Sequence, residues 1–492
     1  MSATPSDATG PAESAAAQPA LKKPLRTLDI WALGVGAVIT GEYFGWNLGL
    51  KDNGAIAMLI ASLIVCLLYL TWVLALSELS VAMPFAGGPL DYGRRAADPS
   101  LGFVMGWSMY LECQFATIAT AIATGGYIAF LVNPDNPSPA VTTGAALATV
   151  AIFFLLHVWG VKEQSTAMVV MTYGAILGLV IFWIAASTSF SAERILTSPL
   201  LPKAKGWKAV LDAVPYALWW LVIIETVALA AEESHEPHRT IPRGLVWAQL
   251  TLIVLVVLTW LFACGAMNAN DLAVTVRLDE SGKLVEEPVL YPLAKAIRSI
   301  PAGTSTLLVY TFGLIALFGL VASYHGMVFG TSRQLFALGR AGYIPQWLGG
   351  VHPRRRTPVP ALIVSSLVTA GCVVANIWFP AAINDGAVLV STLTARIWYI
   401  LAIGCLFVLR RREPALFGSY RTPVYRMLPI TVVLLSAFAA YVYSGINVKV
   451  IPLTAVMYAV ALSYFWFFGQ HRVQSSSIES QPSLAGDPAP SR

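Results

Sequence analysis

From Gly34 to Trp46 the chain reads Gly-Val-Gly-Ala-Val-Ile-Thr-Gly-Glu-Tyr-Phe-Gly-Trp, so one carboxylate and four glycines interrupt an apolar run otherwise fit to cross a bilayer. A charge at the middle of a span opposes insertion by about 2.5–3.5 kcal/mol, so Glu42 marks a functional position rather than an anchor. Glycine accepts non-helical backbone at little steric expense, which lets the helix unwind there. Unwound backbone at membrane depth survives only where protein or a water-filled cavity covers it, as in the discontinuous helices of solute carriers.

The rest of the chain fits that setting. Of 492 residues, 57% are hydrophobic and 12% charged, against about 25% charged in a soluble domain. At about 20 apolar residues per crossing, twelve spans are expected, near 28–50, 55–82, 102–131, 141–160, 165–188, 211–231, 244–267, 303–330, 358–379, 383–409, 427–445 and 449–469. The fold class is thus an all-α polytopic membrane protein. Residues 1–27 and 473–492 are expected to be disordered tails, and 1–20 lack the pattern of a cleavable signal peptide. With the N-terminus inside, most of the 31 Lys and Arg fall on the inner side. The positive-inside rule then puts both termini in the cytoplasm, with the plasma membrane as the location. Topology and lipid headgroups account for the basic clusters at Lys22, Lys23, Arg26, Arg94, Arg95, Arg354 to Arg356 and Arg410 to Arg412, so no nucleic-acid partner is implied. The five cysteines are scattered through the spans with no CxxC or Cys/His spacing, so neither a disulfide framework nor a metal site is expected. No cofactor is implied.

The sixth span, Pro215-Tyr-Ala-Leu-Trp-Trp-Leu-Val-Ile-Ile-Glu-Thr226, resembles the first in carrying an interruption and a carboxylate, Glu225. The two stand five spans apart. That spacing suggests a ten-helix core over 28–409, built of inverted repeats at about 28–188 and 211–409, with two accessory spans in 410–472. Matching interruptions in two halves point to a substrate site. Alternatively, Pro215 merely opens a helix and Glu225 faces packed protein, since Ile223 and Ile224 stand where glycine would ease unwinding.

Three segments then carry a resemblance. Ala82-Met-Pro-Phe-Ala-Gly-Gly-Pro89 is similar to the Pro-x-x-Gly-Gly turn of the amino acid–polyamine–organocation superfamily. Ala231 to Arg243 resembles its loop after span six, and Ser332 to Pro345 with Arg356-Thr-Pro-Val-Pro360 its loop after span eight. The superfamily implies the broken-helix fold with a five-plus-five inverted repeat. Within it, Gly41-Glu-Tyr-Phe-Gly-Trp-Asn-Leu-Gly-Leu50 resembles the ethanolamine permease signature, supported by Ala322 to Met327, Ala217 to Trp220 and Ala228 to Glu233. Arg396, the Thr392 to Ala395 stretch and the lack of a lysine in span five depart from the family pattern and leave the coupling mechanism open.

Family resemblance places the substrate at Gly36, Thr40, Gly41 and Glu42 of span one and at Trp219, Val222 and Ile223 of span six. A fixed negative charge where amino-acid carriers receive a carboxylate favours a primary amine such as ethanolamine; the alternative is that Glu42 only caps a half-helix. Glu225 is the candidate proton carrier, Trp219 a candidate cation–π gate, and Glu112 and His325 further candidates for the cavity. Each has a structural alternative: helix packing for Trp219, an interhelical hydrogen bond for Glu112 and His325. Gln114 and His157 are considered beside them, His157 as structural. Asp91, Arg94, Arg95, Glu232 and Glu233 are expected to form an inner gating loop. Taken together, the implied activity is secondary uptake of ethanolamine or a related amine by proton symport and alternating access. The rival is an amino-acid permease of the same fold, coupled to protons or exchanging. No Ser/His/Asp or His-x4-Asp constellation supports an enzyme. The partners are a small amine, protons and the lipid bilayer; oligomeric state is not legible.

Overall fold

The computed structural model describes residues 25–85, 87–134, 137–196, 205–278, 284–301, 306–423, 425–446 and 450–473. Most of both expected tails, with Lys22, Lys23 and Ala86, lies outside them. Among the described residues, nine helices are long and apolar enough to cross a membrane. They include Ala55–Ala82, Pro99–Val132, Pro139–Trp159, Lys208–Glu233 and Pro237–Ala266. The first expected span is cut into pieces too short to qualify singly, and Val359–Ala375 and Leu428–Tyr441 are shorter apolar helices.

Several helices outrun their sequence-based ends. Span eight runs Thr306–Arg340, so the Ser332 to Arg340 segment expected as loop continues the helix. Span ten runs Pro380–Arg412. Span seven starts at Pro237, the first-turn position where a missing N–H removes no helical bond. Polar residues end the apolar signal without ending the helix.

The lipid-facing and buried helices separate by composition of environment. Span six is 94% buried over its most apolar window, whereas span four is 28% buried. Span six therefore lies at the centre, packed with spans one, two, seven, eight, ten and eleven, while spans four and nine and the last helix lie outside. One feature is absent from the apolar pattern: Val274–Leu278 and Leu284–Pro288 pair as antiparallel strands after span seven. Asn47 ties the outer end of span one to this region, donating from Nδ2 to the carbonyls of Leu272 (2.8 Å) and Val289 (3.0 Å).

Candidate functional site

Both expected breaks are present, and they lie against each other. Span one consists of Thr27–Val38, then Thr40–Tyr43, and, after extended Phe44 and a left-handed Gly45 (φ 98°), a 3-10 turn at Trp46–Leu50. The backbone groups freed at its first interruption turn to span eight. Thr40 N–H donates to Ser323 Oγ (2.7 Å), and that hydroxyl donates to Gly36 O (2.9 Å). Gly41 faces the second break so closely that a Cβ there would stand 2.7 Å from Trp219 O and 2.9 Å from Trp220 Cα. The Trp46 and Trp220 rings stack at 4.5 Å across this contact.

Span six leaves the α-helix at Ala217, passes one 3-10 turn at Leu218–Trp220, and resumes as Ile224–Glu233, also 3-10. Ten residues of 3-10 geometry is long for a form that seldom exceeds four. Between the pieces, Ile223 is left-handed at φ 83°. A β-branched residue there is strained by about 1–3 kcal/mol and persists only where its surroundings over-determine it. Glu225 is part of that determination: its Oε1 accepts from Ile223 N–H at 3.3 Å.

Several buried charges gather around Glu225. The Tyr399 hydroxyl of span ten donates to Glu225 Oε1. The Glu112 carboxyl of span three stands against Glu225 and accepts from Trp398 Nε1 at 2.6 Å. Arg396, one helical turn from Tyr399, donates to the Tyr69 hydroxyl of span two (2.6 Å) and lies over the Tyr399 ring at 4.2 Å. Trp72 stacks on Tyr399 at 4.1 Å and closes the group. All four of Glu112, Glu225, Arg396 and Tyr399 are fully buried. Four atoms remain without a hydrogen-bond partner: Glu112 Oε1, Glu225 Oε2, and Arg396 Nε and Nη1. The centre thus holds two acids for one base. Sequence reasoning named Glu112 and Glu225 but gave Arg396 no partner, and it missed Tyr69, Trp72, Trp398 and Tyr399. The available signal was aromatic residues one turn from a charge at intramembrane positions, as in Arg396 and Tyr399.

Glu42 lies elsewhere. Its carboxylate is fully buried, with neither oxygen accepting a hydrogen bond. The Thr259 hydroxyl of span seven approaches it, without meeting hydrogen-bond geometry, and the Cys66 thiol of span two is electrostatically close. The charged groups that act on Glu112 are Glu225 and Arg396, not Glu42. Trp219 is buried between the breaks, edge-on to Phe44 at 6.5 Å, with its indole N–H unpartnered. Val222 and Ile223 are likewise buried at the break. Gln114 instead bonds Thr369 of span nine at 2.9 Å, and His325 faces His157 and Gln164 of spans four and five.

The expected gating residues are at the inner end of the bundle, with partners of their own. Glu233 pairs with Arg333 at 2.7 Å, both buried, and Arg340 reaches Glu232 at 3.7 Å; both bases come from span eight. Arg95 bonds Glu413 at 2.6 Å, beyond span ten. Burial pushes the Asp91 carboxyl up to about 6 against the opposing attraction of Arg340 and Arg94. Leu25 adds a backbone clasp: its N–H donates to Glu233 O (3.2 Å) and its carbonyl accepts from His235 N–H (2.9 Å).

Interrupted helices meeting around buried charges in a multi-pass bundle define a solute transporter of the broken-helix type. The sequence matches the amino acid permease family over residues 25–468, and the chain belongs to that family, within the amino acid–polyamine–organocation superfamily. These permeases are transporters, not enzymes. It is 29% identical to an uncharacterized transporter of Rhizobium meliloti (strain 1021), covering 92% of this chain and 94% of that one. Identity is 24% to the branched-chain amino acid permease BcaP of Bacillus subtilis (strain 168), over 85% of this chain and 87% of the relative. It is 25% to the methylthioribose transporter of the same organism, over 85% and 89%.

Proposed function

We propose that this protein is a secondary active transporter that takes up a small primary amine, with ethanolamine as the leading candidate, in symport with protons across the plasma membrane. Both termini are then cytoplasmic. The observation that carries the proposal is the buried pairing of Glu112 and Glu225 with the single base Arg396. Two carboxylates about 4 Å apart repel by about 4 kcal/mol at an effective dielectric of 20. One negative charge is balanced by Arg396; the other is balanced by a proton or by a substrate ammonium. A site that trades one for the other couples two fluxes. Glu42 adds a further buried acid at the first break, where a substrate carboxylate would be repelled. The likeness of Gly41 to Leu50 to the ethanolamine permease signature agrees with an amine lacking an acid group.

A second possibility is an amino acid as substrate. It is favoured by the unpartnered Nε and Nη1 donors of Arg396, whose positive charge attracts a carboxylate, and by the name of the Bacillus subtilis branched-chain permease. Uptake of labelled ethanolamine into proteoliposomes, competed with serine, separates the two. Ethanolamine is expected to compete and serine to be rejected. Equal inhibition by both would replace the amine proposal with the amino-acid one.

A further inference from the structure

One buried cluster of titratable side chains has no part in the exchange of charges at Glu112 and Glu225. His157, at the inner end of span four, and His325, in span eight, are each 2% exposed, with ring centroids 4.4 Å apart. Gln164 of span five holds the pair. Its carbonyl meets His325 Nε2 at 3.0 Å, and its side-chain amide donates to His157 O at 2.9 Å. A carbonyl only accepts, so His325 carries its ring proton on Nε2 and leaves Nδ1 as a bare acceptor. Neither His325 Nδ1 nor His157 Nε2 has a hydrogen-bond partner. An imidazolium needs solvation that this packing lacks, so the pair takes up a proton only when water reaches its bare nitrogens.

A route for one is present. A cavity of about 30 Å³, room for about one water, is lined by Asp29, Leu33, Ser165, Met168, His325 and Phe329 among others. Asp29 accepts from Ser165 Oγ at 2.5 Å and from Arg26 N–H at 2.8 Å. The charged groups acting here are opposed in sign. Arg333, on the same helix as His325, repels a charge on His157, while Asp29 from span one shares the cavity with His325. From spans four and five come two neutral neighbours, Phe153, its ring 5.9 Å from that of His325, and Gln164.

We propose that the His157–His325 pair is a proton-binding site filled from the cytoplasmic solution through this cavity, and that it makes transport depend on the pH of the inner side. The step balances simply: hydronium in the cavity gives its proton to a bare ring nitrogen and leaves as water, and the ring becomes an imidazolium. Because Arg333 repels that charge, the protonated pair is best solvated with the cavity open, and closure waits for the proton to leave. Only the transport measurement rests on the amine proposal; proton binding does not.

The test has two arms. Ethanolamine exchange in proteoliposomes is followed at fixed outer pH while inner pH is stepped from about 8 to about 6, across the ordinary imidazole range. Wild-type exchange is expected to fall by about tenfold per pH unit below the titration point, as one site requires. His157→Gln is expected to keep wild-type exchange at the alkaline end and to lose the acid dependence. An active His157→Gln with an unchanged profile overturns the proposal. In the second arm, ring-nitrogen NMR of the whole protein is expected to show two histidines titrating together, and to lose that behaviour in His157→Gln. Rings that stay neutral throughout overturn the proposal; titrating rings in a protein that does not exchange ethanolamine overturn only the choice of substrate.

Discussion

The two helix breaks solve the same problem with opposite materials. At the first, glycines supply the freedom: Gly45 takes φ 98°, Gly41 admits the Trp219 backbone, and Ser323 of a neighbouring helix satisfies the freed Thr40 N–H and Gly36 carbonyl. At the second, no glycine is used, and Ile223 is held left-handed at φ 83° by the charged network around Glu225. The first break is relaxed and set by backbone fit, whereas the second is strained and set by titratable side chains. A strained element whose support includes a protonatable group is the natural place for proton binding to change conformation. Under the proposed symport, the difference points to span six for coupling and to span one for close packing.

Substitutions at each break sharpen that division, and the largest effect belongs to the second. Glu225→Gln is expected to abolish accumulation against a gradient while sparing some exchange, since exchange need not cycle a proton. Concentrative uptake at the wild-type level in that variant removes Glu225 from the coupling step. Arg396→Met removes the base that acts on Glu112 and Glu225, and breaking a buried charge group this way is worth about 3–5 kcal/mol. A large drop in the unfolding temperature in detergent is expected, with partial rescue by Arg396→Lys, which keeps the charge without the fork. Unchanged thermal stability would mean that the two acids are neutral without it.

At the first break the effects are steric, and the change in stability is smaller. Gly41→Val is expected to insert in the membrane and not transport, because its Cβ meets Trp219 O at 2.7 Å. Wild-type rates would show that the two breaks can separate freely. Ser323→Ala leaves two buried backbone groups without their hydroxyl and is expected to destabilise by about 1–3 kcal/mol. Its transport should be slowed and still proton-driven; loss of coupling there would erase the distinction between the breaks.

The sequence carried the first break plainly, because glycine and glutamate are conspicuous in an apolar run. The second was legible only as a weak analogue, since Ile223 has no local signature of a left-handed residue; tertiary contacts impose it. The buried centre was half legible. Glu112 and Glu225 are visible as intramembrane acids, but joining them to Arg396, Tyr69 and Tyr399 needs the relative rotation of spans two, three, six and ten, which apolar periodicity does not fix. The same limitation hid the partners of Glu233 and Arg95, and that Glu42 is directed toward Thr259 and Cys66 rather than toward Glu225. The paired strands Val274–Leu278 and Leu284–Pro288 follow span seven in a stretch where the apolar pattern that marks spans is missing.

Proton movement itself is the most direct measure of the central claim that the Glu112–Glu225 pair trades a proton for a substrate charge. Proteoliposomes holding a pH-sensitive dye and no imposed gradient are given ethanolamine outside, in sodium-free and in sodium-containing buffer. Interior acidification that follows addition of substrate, is independent of sodium and is lost in Glu225→Gln is the expected result. Uptake without acidification, or uptake that requires sodium, contradicts it.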